Sequence, residues 1–135
     1  MQSKRVLVVD DEVKFRYFLS MLFTRHGYEV KVARNGEEAL EVLREWVPDC
    51  ITLDMMMPER SGLAFYEKLC LNPAWKDIFV VVLSAVPKYV INHLLEIMKL
   101  SSGSLPEPAA CLEKPAAPET ILETVAQVMQ RCADA

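Results

Sequence analysis

Three short, mainly apolar runs constrain this chain more than anything else in it: Val6–Val9, Cys50–Leu53, interrupted only by Thr52, and Ile78–Leu83. Each is too short for a core helix, is dominated by Val, Ile and Leu, and lacks the alternation of a strand with one wet face. Such runs suit strands covered on both sides, the condition of a parallel sheet sandwiched between helices. Segments of helical period separate them. From about Glu12 to His26, Phe15, Phe18, Leu19, Leu22 and Phe23 make an apolar stripe that Gly27 stops. From Glu37 to Trp46, Ala39, Leu40, Leu43 and Val47 fall on one side, and Gly62–Leu71 predicts a third helix. Lys88–Leu100 predicts a fourth, with two neighbouring stripes, Val90-Leu94-Ile97 and Ile91-Leu95-Met98, an arc wider than one core face requires. The last helix opens at Pro118 and buries Ile121, Leu122, Val125, Val128, Met129 and Cys132.

Tyr28–Ala33 alternates as a half-exposed edge strand should, and Ala110–Glu113 is a short strand that stops at Lys114-Pro115. Five strands alternating with five helices predict an α/β fold with a parallel sheet and right-handed crossovers. The 135 residues fit one domain, 1–135, with no internal repeat. Composition removes several functions. A formal charge of -4 and no basic run longer than Lys4-Arg5 leave no nucleic-acid footprint. The longest apolar run, Phe79–Val86, is too short to span a bilayer, and the N-terminus has no signal-peptide core. The four cysteines, Cys50, Cys70, Cys111 and Cys132, form no CxxC and read as reduced core residues of a cytoplasmic protein. His26, in a last helical turn, and His93, at the edge of an apolar arc, read as structural and surface residues.

The strand ends carry the chemistry. Val6–Val9 runs into Asp10-Asp11, Cys50–Leu53 into Asp54, Ile78–Leu83 into Ser84, and Ala110–Glu113 into Lys114. In a parallel sheet these ends share one edge, outside which ligands bind. Pro58 and Gly62 force a turn directly after Asp54. Adjacent carboxylates at Asp10 and Asp11 repel and lose hydration, so they call for a cation, unless they serve only to cap the helix that follows. Three carboxylates against one lysine leave negative excess, which suits a hard divalent ion such as Mg2+. Asp54 would then act as a nucleophile toward phosphorus, with Ser84 and Lys114 meeting the phosphoryl oxygens.

Val8-Val9-Asp10-Asp11-Glu12, Asp54-Met55-Met56-Met57-Pro58 with Gly62, Ser84-Ala85 and Lys114-Pro115 together resemble the motif set of response-regulator receiver domains of two-component signalling. The resemblance implies a doubly wound, flavodoxin-like (βα)5 fold with strand order 2-1-3-4-5. It implies that Asp54 is the phosphoacceptor and that Asp10 and Asp11 form an acidic pocket. Mg2+ would be held by Asp11, Asp54 and the main-chain carbonyl of Met56, with Asp10 acting largely through water. Ser84 would be the switch hydroxyl, Lys114 would contact the phosphoryl group, and the Lys114-Pro115 peptide would be cis. The implied function is a switch phosphorylated by a histidine kinase, a phosphotransfer protein or a small phosphodonor. It would catalyse only its own phosphorylation and dephosphorylation. Its output would be altered binding of a protein target or a second copy through the Lys88–Leu100 helix, the Ala110–Glu113 strand and the final helix. Two departures stand out: Cys111 occupies the family's aromatic switch position, and Leu100–Ala109 is longer than usual. They motivate the alternative of an interaction module whose output is independent of phosphorylation. A phosphatase of the haloacid-dehalogenase type would want an acid two residues after Asp54, where Met56 stands.

Overall fold

A computed structural model describes residues 3–58, 61–102 and 105–133, with side chains described except at 99–102 and 131–133. The elements are β1 (Arg5–Val9), α1 (Val13–Arg25), β2 (Glu29–Ala33), α2 (Gly36–Glu45), β3 (Cys50–Leu53), α3 (Ser61–Leu71), β4 (Phe79–Ser84), α4 (Lys88–Ser102), β5 (Ala110–Glu113) and α5 (Pro118–Ala133). All strands are parallel, in the order β2-β1-β3-β4-β5, as the flavodoxin-like expectation requires. These mainly apolar runs are the three central strands, and alternation of side chains divides each between two cores. Leu7, Val9, Ile51, Leu53, Val80 and Val82 face α2, α3 and α4, whereas Val6, Val8, Cys50, Val81 and Leu83 face α1 and α5. Pairing of Val9 with Leu53 brings the ends of β1 and β3 level, and pairing of Ser84 with Glu113 does the same for β4 and β5.

Local signals fix the helix ends. Asn35 caps α2 by accepting from the Glu38 amide at 2.8 Å, so the helix begins at Gly36, one residue before the sequence reading. Gly27 follows α1 at φ +88°, a left-handed turn that costs glycine nothing. His26 is structural: its Nδ1 donates to the Leu22 carbonyl at 2.9 Å. His93 is exposed, as the sequence suggested.

Several expectations need correction. Val47 does not join the α2 face. The helix stops at Glu45, Trp46 turns into the core instead, and Val47 is 50% exposed. In α1 only Leu19 and Phe23 are fully buried, and Phe18 lies largely outside. α4 runs two residues further, to Ser102. Its two stripes separate: Ile91 and Leu95 are buried, Val90, Leu94 and Met98 are half-buried, and Ile97 is exposed with Tyr89. The segment after α4 folds back. Leu105 is buried, the Tyr66 hydroxyl donates to the Pro106 carbonyl at 2.6 Å, and Glu107 lines a small hollow with Asn92, Leu95 and Glu96. Cys50 is a core residue, but Cys70 and Cys111 are only half-buried, and the three are free thiols. The Cys132 side chain, the Lys99 and Leu100 side chains, and the Glu59-Arg60 part of the turn after Asp54 lie outside what is described. Among the described residues no helix is long and apolar enough to cross a membrane.

Candidate functional site

The parallel sheet brings the predicted strand-end residues to one edge. Asp10 follows β1 and is 2% exposed, and its amide donates to the Ala33 carbonyl at 3.1 Å. One carboxylate oxygen, Oδ1, accepts from the Glu12 amide at 2.9 Å, which ties the start of α1 to the site. The capping alternative is not realised: Glu12 is the N-cap residue of α1, and no side chain caps the helix. Asp54 follows β3, is also buried, and donates its amide to the Val9 carbonyl at 3.0 Å. Its Oδ1 accepts from the Met56 amide at 3.0 Å. Asp11 is exposed at the rim.

The turn after Asp54 is shaped by Gly62. A Cβ there would fall inside 3.0 Å of the Asp54 carbonyl oxygen, the Met55 Cα and the Met55 carbonyl oxygen. Only glycine lets α3 approach this closely, so Gly62 sets how the backbone leaves Asp54. The α2 and α3 starts are also joined, since the Gly36 amide donates to Ser61 Oγ at 2.7 Å.

Lys114 enters from the opposite side, after β5. Its amide donates to the Ser84 carbonyl at 2.7 Å, and the Lys114-Pro115 peptide is cis. Its ammonium lies 2.7 Å from Asp10 Oδ2 and 3.7 Å from Asp54 Oδ2. Asp10, Asp54 and Lys114 therefore meet directly across 104 positions of sequence. Ser84 is buried at the end of β4, and its hydroxyl accepts from the Val86 amide at 3.4 Å. Cys111 is half-buried against the α2–α4 core, and burial raises its thiol above the ordinary value.

Electrostatics favour an added cation. Burial pushes the Asp54 carboxyl above its ordinary pKa, and the charges of Asp10 and Asp11 push the same way. The Met56 amide and Lys114 pull it back, but the net direction is upward. Carboxylate oxygens of Asp10, Asp11 and Asp54 all lie within 4.8 Å of one another. An all-oxygen donor set of this size and charge fits a hard divalent cation with part of its water shell retained.

Two participants escape sequence reading. Arg16, one turn into α1, donates from Nη1 to the Asp10 carbonyl at 2.8 Å. Phe15, read as a core-stripe residue, places its ring centroid 4.2 Å from Lys114 Nζ. Neither spacing nor residue type announces these contacts, which depend on how α1 lies across the sheet edge.

Comparison with known proteins agrees with this geometry. Residues 6–126 match the response regulator receiver domain family. The chain is 34% identical to the chemotaxis protein CheY of Thermotoga maritima over 93% of its own length and 98% of that protein. It is 40% identical to the probable transcriptional regulator ycf27 of Pyropia yezoensis over 63% of its length, and it spans only 34% of that relative. Among solved structures, the chemotaxis response regulator CheY4 of Vibrio cholerae superposes with a TM-score of 0.79 at 28% identity, covering 94% of this chain and 99% of that one.

Proposed function

The chain belongs to the response-regulator receiver domain family, and from that premise we propose a single receiver domain that works as a phosphorylation-dependent switch with Asp54 as its phosphoacceptor. The observation that carries this reading is the three-way meeting of Asp54, Asp10 and Lys114 beside Asp11. An Asp54 carboxylate oxygen forms a bond to phosphorus while the bond from phosphorus to the donor's leaving atom breaks, and the leaving group departs with that electron pair. Charge balance supports the assignment. Lys114 supplies one positive charge to a site where carboxylates already crowd, and it meets an equatorial phosphoryl oxygen as it now meets Asp10. Asp11, Asp54 and the Met56 carbonyl would hold Mg2+, with Asp10 acting largely through water, and the bound ion would supply the remaining charge neutralisation. Buried Ser84, at the end of the neighbouring strand, is the hydroxyl that engages the phosphoryl group and carries the change toward α4. Receiver domains catalyse their own phosphorylation and dephosphorylation rather than turning over another substrate.

The partners that this reading implies are a histidine kinase or phosphotransfer protein on the input side and a protein target or second copy on the output side. Beside the acidic cluster, Val13, Tyr17 and Met21 expose apolar side chains at successive turns of α1, and Met56 exposes another. A helical phosphodonor protein has there an apolar landing strip that ends at Asp54. For output, Tyr89 and Ile97 project from α4, with half-buried Val90 and Leu94 between them. Cys111 favours a second reading, a module with phosphorylation-independent output, because a small thiol stands where an aromatic ring would move.

One experiment separates the two. The protein and Asp54→Asn are sedimented at several concentrations with Mg2+, with and without a small acyl phosphate. A donor-dependent shift in assembly or target affinity, absent from Asp54→Asn, supports the switch. A phosphorylated protein with unchanged assembly and target affinity, and with Leu94→Glu alone disturbing them, supports the independent module.

A further inference from the structure

The ammonium of Lys114 has a third neighbour that the phosphoacceptor reading leaves without a task. Besides Asp10 Oδ2 at 2.7 Å and Asp54 Oδ2 at 3.7 Å, it sits 4.2 Å from the centroid of the Phe15 ring. A cation within about 6 Å of an aromatic centroid is drawn to the negative face of the ring, and the attraction grows as water is excluded. Water is largely excluded here, since the Lys114 side chain is 15% exposed. The ring is itself held: Phe15 packs against the core beneath α1, and Phe18 lies beside it at 6.0 Å between centroids.

The three contacts differ in kind. Carboxylates accept the ammonium's N–H bonds, whereas the ring attracts its charge without requiring a particular hydrogen. A phosphoryl oxygen on Asp54 competes with Asp10 for the same N–H donors, but it does not compete with the ring. Lys114 therefore exchanges one oxygen partner for another while remaining on Phe15. A four-carbon flexible stem without that support spends part of its time elsewhere, and the phosphorylation rate falls with the fraction of competent conformers.

We propose that Phe15 is a positioning residue whose ring face fixes the Lys114 ammonium over Asp54 and thereby sets the rate of phosphorylation. The inference deepens the assignment of Asp54 as phosphoacceptor and rests on it.

The test uses the full chain with Phe15→Leu, Phe15→Tyr, and a series in which the ring at position 15 carries successive fluorine atoms. In the resting protein, without metal or donor, the Lys114 ε-methylene protons shift upfield under the ring current in wild type and Phe15→Tyr, and return to ordinary lysine positions in Phe15→Leu. With Mg2+ and a small acyl phosphate, Phe15→Leu phosphorylates more slowly by about 2- to 30-fold, the range set by the strength of such contacts, while Phe15→Tyr stays near wild type. Fluorination keeps the ring and its packing but weakens its negative face, so the rate falls step by step even if Phe15→Leu loosens the fold. Equal rates across the fluorinated series, or unshifted ε-methylene protons in wild type, would overturn the proposal. A wild-type protein that forms no adduct, yet shows the ring-current shift, would instead overturn the phosphoacceptor assignment.

Discussion

Replacing Lys114 by Met keeps the apolar stem and removes the charge that balances Asp10. In the folded protein this ammonium is 2.7 Å from a carboxylate whose side chain is 2% exposed. Breaking a buried ion pair by deleting one partner costs about 3–5 kcal/mol, chiefly because the other charge stays buried without compensation. The lower end applies here, since Asp10 keeps the Glu12 amide and the cluster opens to solvent at Asp11. A loss of about 3 kcal/mol in a chain of this size lowers Tm by roughly 12 °C. Because the uncompensated charge is exactly what a divalent cation relieves, Mg2+ should raise the Tm of Lys114→Met more than that of wild type. Calorimetric melts in chelator and in saturating Mg2+ measure both effects. A mutant within about 0.5 kcal/mol of wild type in chelator, the range of an inert surface change, with an unaltered Mg2+ response, would refute the charge-balance argument.

The raised pKa of Asp54 gives a signed pH dependence. Above its ordinary value of 3.8 the folded protein holds the proton more tightly than the unfolded chain, so stability falls as pH rises through the raised folded pKa. Asp54→Asn removes this component; denaturation in chelator should therefore show it less pH-sensitive and more stable than wild type near neutrality, and a less stable mutant there contradicts the account. Gly62→Ala, whose Cβ meets the Asp54 and Met55 backbone, should cost about 1–3 kcal/mol and slow phosphorylation, as chemical denaturation and single-turnover labelling would report. Unchanged kinetics would mean that the turn relaxes without moving Asp54. Tyr66→Phe removes the 2.6 Å bond to the Pro106 carbonyl, so stability should fall by about 1 kcal/mol and amide exchange should quicken between α4 and β5. Unaltered exchange there would show that buried Leu105 alone holds the segment.

Much of the architecture was legible because burial on both faces leaves a visible mark. Val6–Val9 and Ile51–Leu53 admit no wet face, and helical stripes between such strands leave few alternatives to a parallel sheet. The strand-end rule then collects Asp10, Asp11, Asp54, Ser84 and Lys114 without knowledge of any contact. What escaped depends on where each element stops and how it lies. Val47 continues the apolar period of α2, but the helix ends two residues earlier, and periodicity does not mark that end. The α1 stripe is wider than the surface available to it, so Phe18 is left outside while Phe15 reaches Lys114. Beside Leu95 of the second α4 stripe lies Glu107, in a segment whose return is tied by a tyrosine hydroxyl in another helix to the Pro106 carbonyl. Loops of this kind carry no period, and their partners lie too far along the chain for spacing to name them.

The central claim is that Asp54 itself becomes the acyl phosphate, and chemical trapping tests it directly. The protein is treated with Mg2+ and a small acyl phosphate, reduced with borohydride, digested and mapped by mass spectrometry. The expected result is conversion of one residue, Asp54, to homoserine, with Asp10 and Asp11 unchanged and no conversion at all in Asp54→Asn. Homoserine at Asp10 or Asp11, or an equal yield of adduct in Asp54→Asn, would contradict it.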